Sequence, residues 1–129
     1  MSRATIVKEE ISEKNMHLLA IYIETKNAVL VLFSEAEDQL GTLAASVPPT
    51  TETRIQPLLS SVLLGDRNTT TARMLAERLA SKTSKIGLVS IYLKTISETE
   101  AAPVIMKLFE KVTTVSNTQQ KQEGESVIT

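Results

Sequence analysis

Residues 16–33, MHLLAIYIETKNAVLVLF, decide the fold. Two short apolar runs, Met16 to Ile23 and Ala28 to Phe33, are separated only by Glu24 to Asn27. Runs of this length with β-branched residues and so short a link read as an antiparallel hairpin, not a crossover. A sheet with one wet face alternates apolar and polar residues. This stretch does not. Leu18, Ala20 and Tyr22 point one way and Leu19, Ile21 and Ile23 the other, while Ala28 to Phe33 is apolar throughout. Both faces of the sheet therefore seek cover.

Outward from this hairpin, Thr5 to Ile11 is a weaker strand, with Ile6 and Val7 as its clearest apolar pair. Leu40 to Val47 is another and stops at Pro48-Pro49. Ile55 to Leu64 follows, with Pro57 near its start. Ala72, Leu75, Ala76 and Leu79 then fall at i, i+3, i+4 and i+7, one face of a helix. Asp66, Asn68 and Thr69 all suit its N-cap, and cations from Lys82 to Lys85 suit its end. Ile86 to Leu93 returns to strand. Ala101, Val104, Ile105, Leu108, Phe109 and Val112 mark a second amphipathic helix, with Ser97 and Glu100 as a capping box or Pro103 setting a start at Ala102.

The order is βββββαβα: an α+β domain of about six mostly antiparallel strands and two amphipathic helices. Short links among the first five strands predict antiparallel pairing, since parallel neighbours need a long crossover. A single domain spans residues 1–115. Residues 116–129, rich in Asn, Thr, Gln, Lys, Glu, Gly and Ser, read as a disordered tail. Six strands at ~4.8 Å spacing make a sheet about 29 Å wide, and two helices ~10 Å across cover one face of it. A curled sheet or an N-terminal segment would shield the other; a partner subunit is the stronger reading, because large apolar patches mark interaction sites.

The 129 residues hold 14 basic and 15 acidic side chains, a net charge of −1, without the basic excess that nucleic acid demands. Cysteine is absent and His17 is the sole histidine, so neither a thiolate nor a conventional zinc site is expected. No run approaches a membrane span, and no signal-peptide core opens the chain. The expectation is a cytoplasmic or nuclear protein without cofactor. His17 reads as a structural residue. Glu35, Glu37 and Asp38 read as a solvated acidic turn without EF-hand spacing. The Gly65 turn lacks a phosphate-loop sequence, Ser60 and Ser61 lack a nucleophile elbow, and no triad is built around His17. No enzyme is expected.

One segment carries a resemblance. Leu63-Leu64-Gly65-Asp66, then Thr69-Thr70, then Leu75 through Lys85 (LAERLASKTSK), followed by a strand, resembles the proteasome assembly chaperone 4 family. There a strand ending Ser-Leu-Leu-Gly-Asp leads through a Thr-rich turn into a helix of the form Leu-Ala-x-Arg-Leu-Ala-x-Lys-Thr. The close motif covers about a fifth of the chain, and its register holds without a gap. The resemblance implies a six-stranded, two-helix chaperone that pairs with a sibling, assembly chaperone 3. It also implies that the heterodimer binds proteasome α subunits while their ring forms. The motif has a structural reading as well: Gly65 turns, Asp66 or a Thr hydroxyl caps, and Leu75 and Leu79 pack on the sheet. With Ala72, Ala76 and Leu79 inward, Met74, Arg78, Ser81 and Lys85 face out; of these, Met74, Arg78 and Lys85 are the candidate partner contacts, an apolar centre with a cationic rim. The rival class is a small adaptor of the longin or roadblock kind, which shares size and order but not this register.

Overall fold

The structure, a computed structural model, describes residues 3–48 and 59–128, with side chains in the last helix through Ser116. The strands are β1 (Thr5–Glu13), β2 (Met16–Glu24), β3 (Ala28–Glu35), β4 (Thr42–Ser46), β5 (Ser60–Leu64) and β6 (Ile86–Tyr92). The helices are α1 (Thr69–Thr83), between β5 and β6, and α2 (Glu98–Ile128). The βββββαβα order is therefore as the sequence predicts. The first half of the expected fifth strand, Pro57 included, lies outside the described residues.

Pairing departs from sequence order. The sheet runs β1-β2-β3-β6-β4-β5, and β6 lies parallel to β3 and antiparallel to β4. Two local antiparallel units, β1-β2-β3 and β4-β5, are thus joined by a strand that arrives later in the chain. The β1–β2 link is a two-residue turn at Lys14 and Asn15, both with positive φ, as a twisted hairpin prefers. The β3–β4 link is not a hairpin. It crosses the end of β6, and two serines hold it there. Gln39 N donates to Ser34 Oγ (3.0 Å), which donates back to Gln39 O (3.0 Å), and Gly41 N donates to Ser90 Oγ (2.8 Å). Ser90, the one polar interruption of its strand, is the device that lets the chain skip a place.

Both helices pack on one face. The register aligns Val7, Tyr22, Val31, Val89, Ala44 and Val62 across it, and Ala20, Phe33 and Ile91 beside them. Leu75 and Leu79 of α1, and Val104, Ile105, Leu108, Phe109 and Val112 of α2, close over these side chains and are fully buried. Apolar area removed from water at roughly 25 cal/mol per Å² makes this layer the main source of stability. Helix α2 lies over β1 and β2, where Lys107 reaches Glu13 (2.7 Å) and Lys111 reaches Glu9 (3.3 Å); α1 lies over β4, β5 and β6.

Helix α2 begins earlier than Ala102 and continues past Val115. Ser97 caps it: its hydroxyl accepts from Glu100 N (3.2 Å), leaving Pro103 inside the helix. Ser116, placed in the tail by composition, is completely buried. The helical backbone runs on to Ile128, because Gln, Lys and Glu propagate a helix without needing an apolar face.

Candidate protein-interaction surface

Among the described residues no helix packs on the opposite sheet face, which is largely apolar. One row across it reads Ile6, Ile23, Leu30, Leu88, Ala45 and Ser61, and the next Lys8, Ile21, Leu32, Ser90, Leu43 and Leu64. Ile6, Leu63 and Leu64 are more than half exposed, as are Val47 and Leu59 at the neighbouring strand ends. Among the described residues only the 36–41 link touches this face, at Ser34 and Ser90.

One corner is polar. Ser12 and His17 oppose each other across β1–β2, with Ser12 Oγ 2.6 Å from His17 Nδ1 and His17 Nε2 3.3 Å from Glu10. Ser12, His17 and Glu10 thus form a polar chain. Cross-strand register brings together residues that the linear spacing gives no reason to join. It stands on an open strand surface, with the His17 and Glu10 side chains 47% and 66% exposed, and locks the hairpin tip. Nearby, Leu19 and Ile21 floor a shallow depression walled by Lys8, Glu10 and Asp38.

The strand–helix motif is mainly architectural. Leu64, opposite Leu43, ends β5 on the open face, and Leu63 is exposed at the bulge beside it. Gly65 has φ +89°, and a Cβ there would sit 2.9 Å from Thr42 Cα, so the turn needs glycine. Asp66 is exposed and caps nothing; the N-cap is Asn68, left-handed at φ 59° and without a side-chain cap bond. Thr69 and Thr70 open the helix. The cap comes from α2: Glu98 Oε1 accepts from Thr71 N (3.1 Å) and Thr71 Oγ1 (2.8 Å). A carboxylate here also meets the positive end of the α1 dipole. Asp66→Ala is therefore expected to change stability by less than ~0.5 kcal/mol, and Glu98→Ala to cost about 1–2 kcal/mol. Equilibrium urea unfolding of both variants checks this, and equal losses would contradict the cap assignment.

The three candidate contacts separate. Met74 is 46% exposed on the solvent side of α1. Arg78 lies on the same side, with its Nη2 3.1 Å from Glu110 of α2. Lys85 is not on that face. Ser84, left-handed at φ 56°, ends the helix, and Lys85 turns to the end of β2, donating to Glu24 Oε2 (2.6 Å) and Thr25 O (2.8 Å). Glu24 also accepts from the Tyr22 hydroxyl (2.6 Å), and burial, then that bond, push the phenol upward. Lys85 thus compensates a buried carboxylate.

Glu35 is no part of a solvated turn either. The residue is only 9% exposed, and its carboxylate accepts from Lys94 N (2.9 Å), Thr95 N (2.8 Å), Ile96 N (3.0 Å) and the Thr95 hydroxyl, fixing the link from β6 into α2. Burial alone raises its pKa, but these donors outweigh it and hold the group at about 2. A carboxyl depressed from 4.5 to about 2 contributes stability that is complete above about pH 4.5 and is lost as the pH falls through 2. Glu35→Gln should therefore cost up to about 3 kcal/mol at neutral pH and flatten the acid limb of the stability profile. An acid limb unchanged in the variant would remove Glu35 from that role.

No helix is long and apolar enough to cross a membrane among the described residues. No protein-family model matches the chain, and no curated protein matches it. Among solved structures it is similar to a chain of a yeast complex described as a novel chaperone complex for 20S proteasome assembly, at 12% identity and a TM-score of 0.65. The match covers 89% of this chain and 96% of that one, so the two share one fold over nearly their full lengths.

Proposed function

We propose that this chain is a chaperone of proteasome core-particle assembly, of the assembly chaperone 4 kind. It pairs through its open sheet face with a sibling, assembly chaperone 3, and the pair binds α subunits during α-ring formation. The carrying observation is the apolar sheet face that neither helix covers among the described residues, in a fold shared with a chain of a chaperone complex. A face about 29 Å by about 20 Å offers on the order of 600 Å², close to the ~800 Å² per partner of a standard interface. In this reading the protein binds and does not catalyse, takes no cofactor, and works in the cytoplasm or nucleus. Affinity capture of the tagged chain with mass spectrometry tests it. Recovery of the sibling and α subunits supports the reading, and recovery of GTPase-regulating trafficking complexes replaces it with the adaptor.

A further inference from the structure

We infer that the solvent side of α1 is a second docking surface, which takes an acidic segment carrying an apolar side chain and is used while the sheet face is occupied. This rests on the reading above and assigns the α-subunit contact to a place. The helix lies on the covered side of the sheet, so its outward face points away from the open one. There a shallow depression is lined by Thr70, Arg73, Met74, Glu77 and Arg78.

The charges are arranged unevenly. Glu77 is engaged at the β5 edge, where Ser60 Oγ donates to its Oε2 (2.7 Å) and accepts from Arg73 Nε (3.1 Å). That leaves the terminal nitrogens of Arg73 without a partner among the described residues. Arg78, across Met74, spends one terminal nitrogen on Glu110. Each guanidinium has five donors, so both retain capacity for a carboxylate. An exposed methionine between two such groups fits an apolar side chain flanked by Asp or Glu, because its flexible thioether adapts to shape. A basic occupant would meet two arginines at close range.

Glu110 supplies a distinguishing test, since it competes with any incoming carboxylate for Arg78 (3.1 Å) and Lys82 (3.7 Å). The preformed complex with assembly chaperone 3 is offered to each purified recombinant α subunit, and association is followed at low and physiological salt. Arg73→Ala with Arg78→Ala should slow association about tenfold with a shallower salt dependence, and separately Met74→Ser should speed dissociation about tenfold with the salt dependence unchanged. Glu110→Gln should speed it several-fold, a gain that misfolding cannot produce. The sibling should stay bound throughout. Wild-type rates in all variants, or displacement of the sibling by an α subunit, would overturn the inference while the pairing stands. If no α subunit binds the wild-type complex, the α-subunit reading fails and takes the inference with it.

Discussion

Gly87→Ala is expected to remove about 3 kcal/mol or more of folding stability, and Gly87→Val to leave little folded protein. Gly87 lies on the covered face of β6, beneath α1. A Cβ built there would stand 2.6 Å from Ala76 O and 2.8 Å from Ala80 N. Both obstacles are backbone atoms of a helix, which cannot swing aside as a long side chain would. Relief requires α1 to lift, and that would part Leu75 and Leu79 from Val89 and Ile91, all four now buried to within 1%. A domain of this size has roughly 5–15 kcal/mol in total, so the loss is a large fraction of it. Chemical denaturation with parallel far-UV and fluorescent-dye readouts measures the cost. A Gly87→Ala protein within 1 kcal/mol of wild type would mean that helix and strand are not in such close contact.

Leu88→Asp, one residue along, should do the reverse: leave the fold standing and abolish the proposed pairing. Leu88 sits on the open face, between Leu30 on β3 and Ala45 on β4, at the middle of the apolar row. In the isolated chain it is only half-buried, so an aspartate there still reaches water. Against a partner's apolar surface the same carboxylate is stripped of water with no cation to meet it, at several kcal/mol. At 1.4 kcal/mol per decade, affinity should fall by at least about a hundredfold. The monomer should become more soluble, since the patch it presents is interrupted. Size-exclusion chromatography and titration against assembly chaperone 3 decide the matter. Undiminished affinity would move the interface off this face.

The contrast between adjacent residues shows what the sequence conveys and what it hides. Strand and helix identity is local, written in the period of apolar residues and in short links such as Glu24 to Asn27, and every element was legible. The uncovered face was legible too, since unbroken apolar strands outnumber what two helices can shield. Pairing order was not, because nothing near Leu40 states that β6 will slip in between, and Ser34 and Ser90, which hold the link, carry no signal of it in the linear sequence. Glu35, Glu98 and Lys85 were misjudged or missed for a related reason. Each finds its partners on another element, and linear spacing carries no signal of that. The phase of α1 put Met74 and Arg78 outside correctly, and the helix ends at Thr83, within the expected Lys82 to Lys85, but the same phase extended to Lys85 misplaced that residue beyond the helix.

The late arrival of β6 also sets a timetable. On the ribosome the β1-β2-β3 meander and the β4-β5 hairpin emerge first, each with nearest-neighbour contacts that form in microseconds. Neither can close the sheet. Ala28 waits for Ile86 and Ser46 for Gly87, and until they meet, β3 and β4 expose bare hydrogen-bonding edges beside apolar side chains. Such long-range parallel pairing is the slow step of a fold, and an unzipped edge of this kind invites sticking to other nascent chains. A protein proposed to guard the assembly of others thus carries unguarded edges of its own until its sixth strand locks the two halves together.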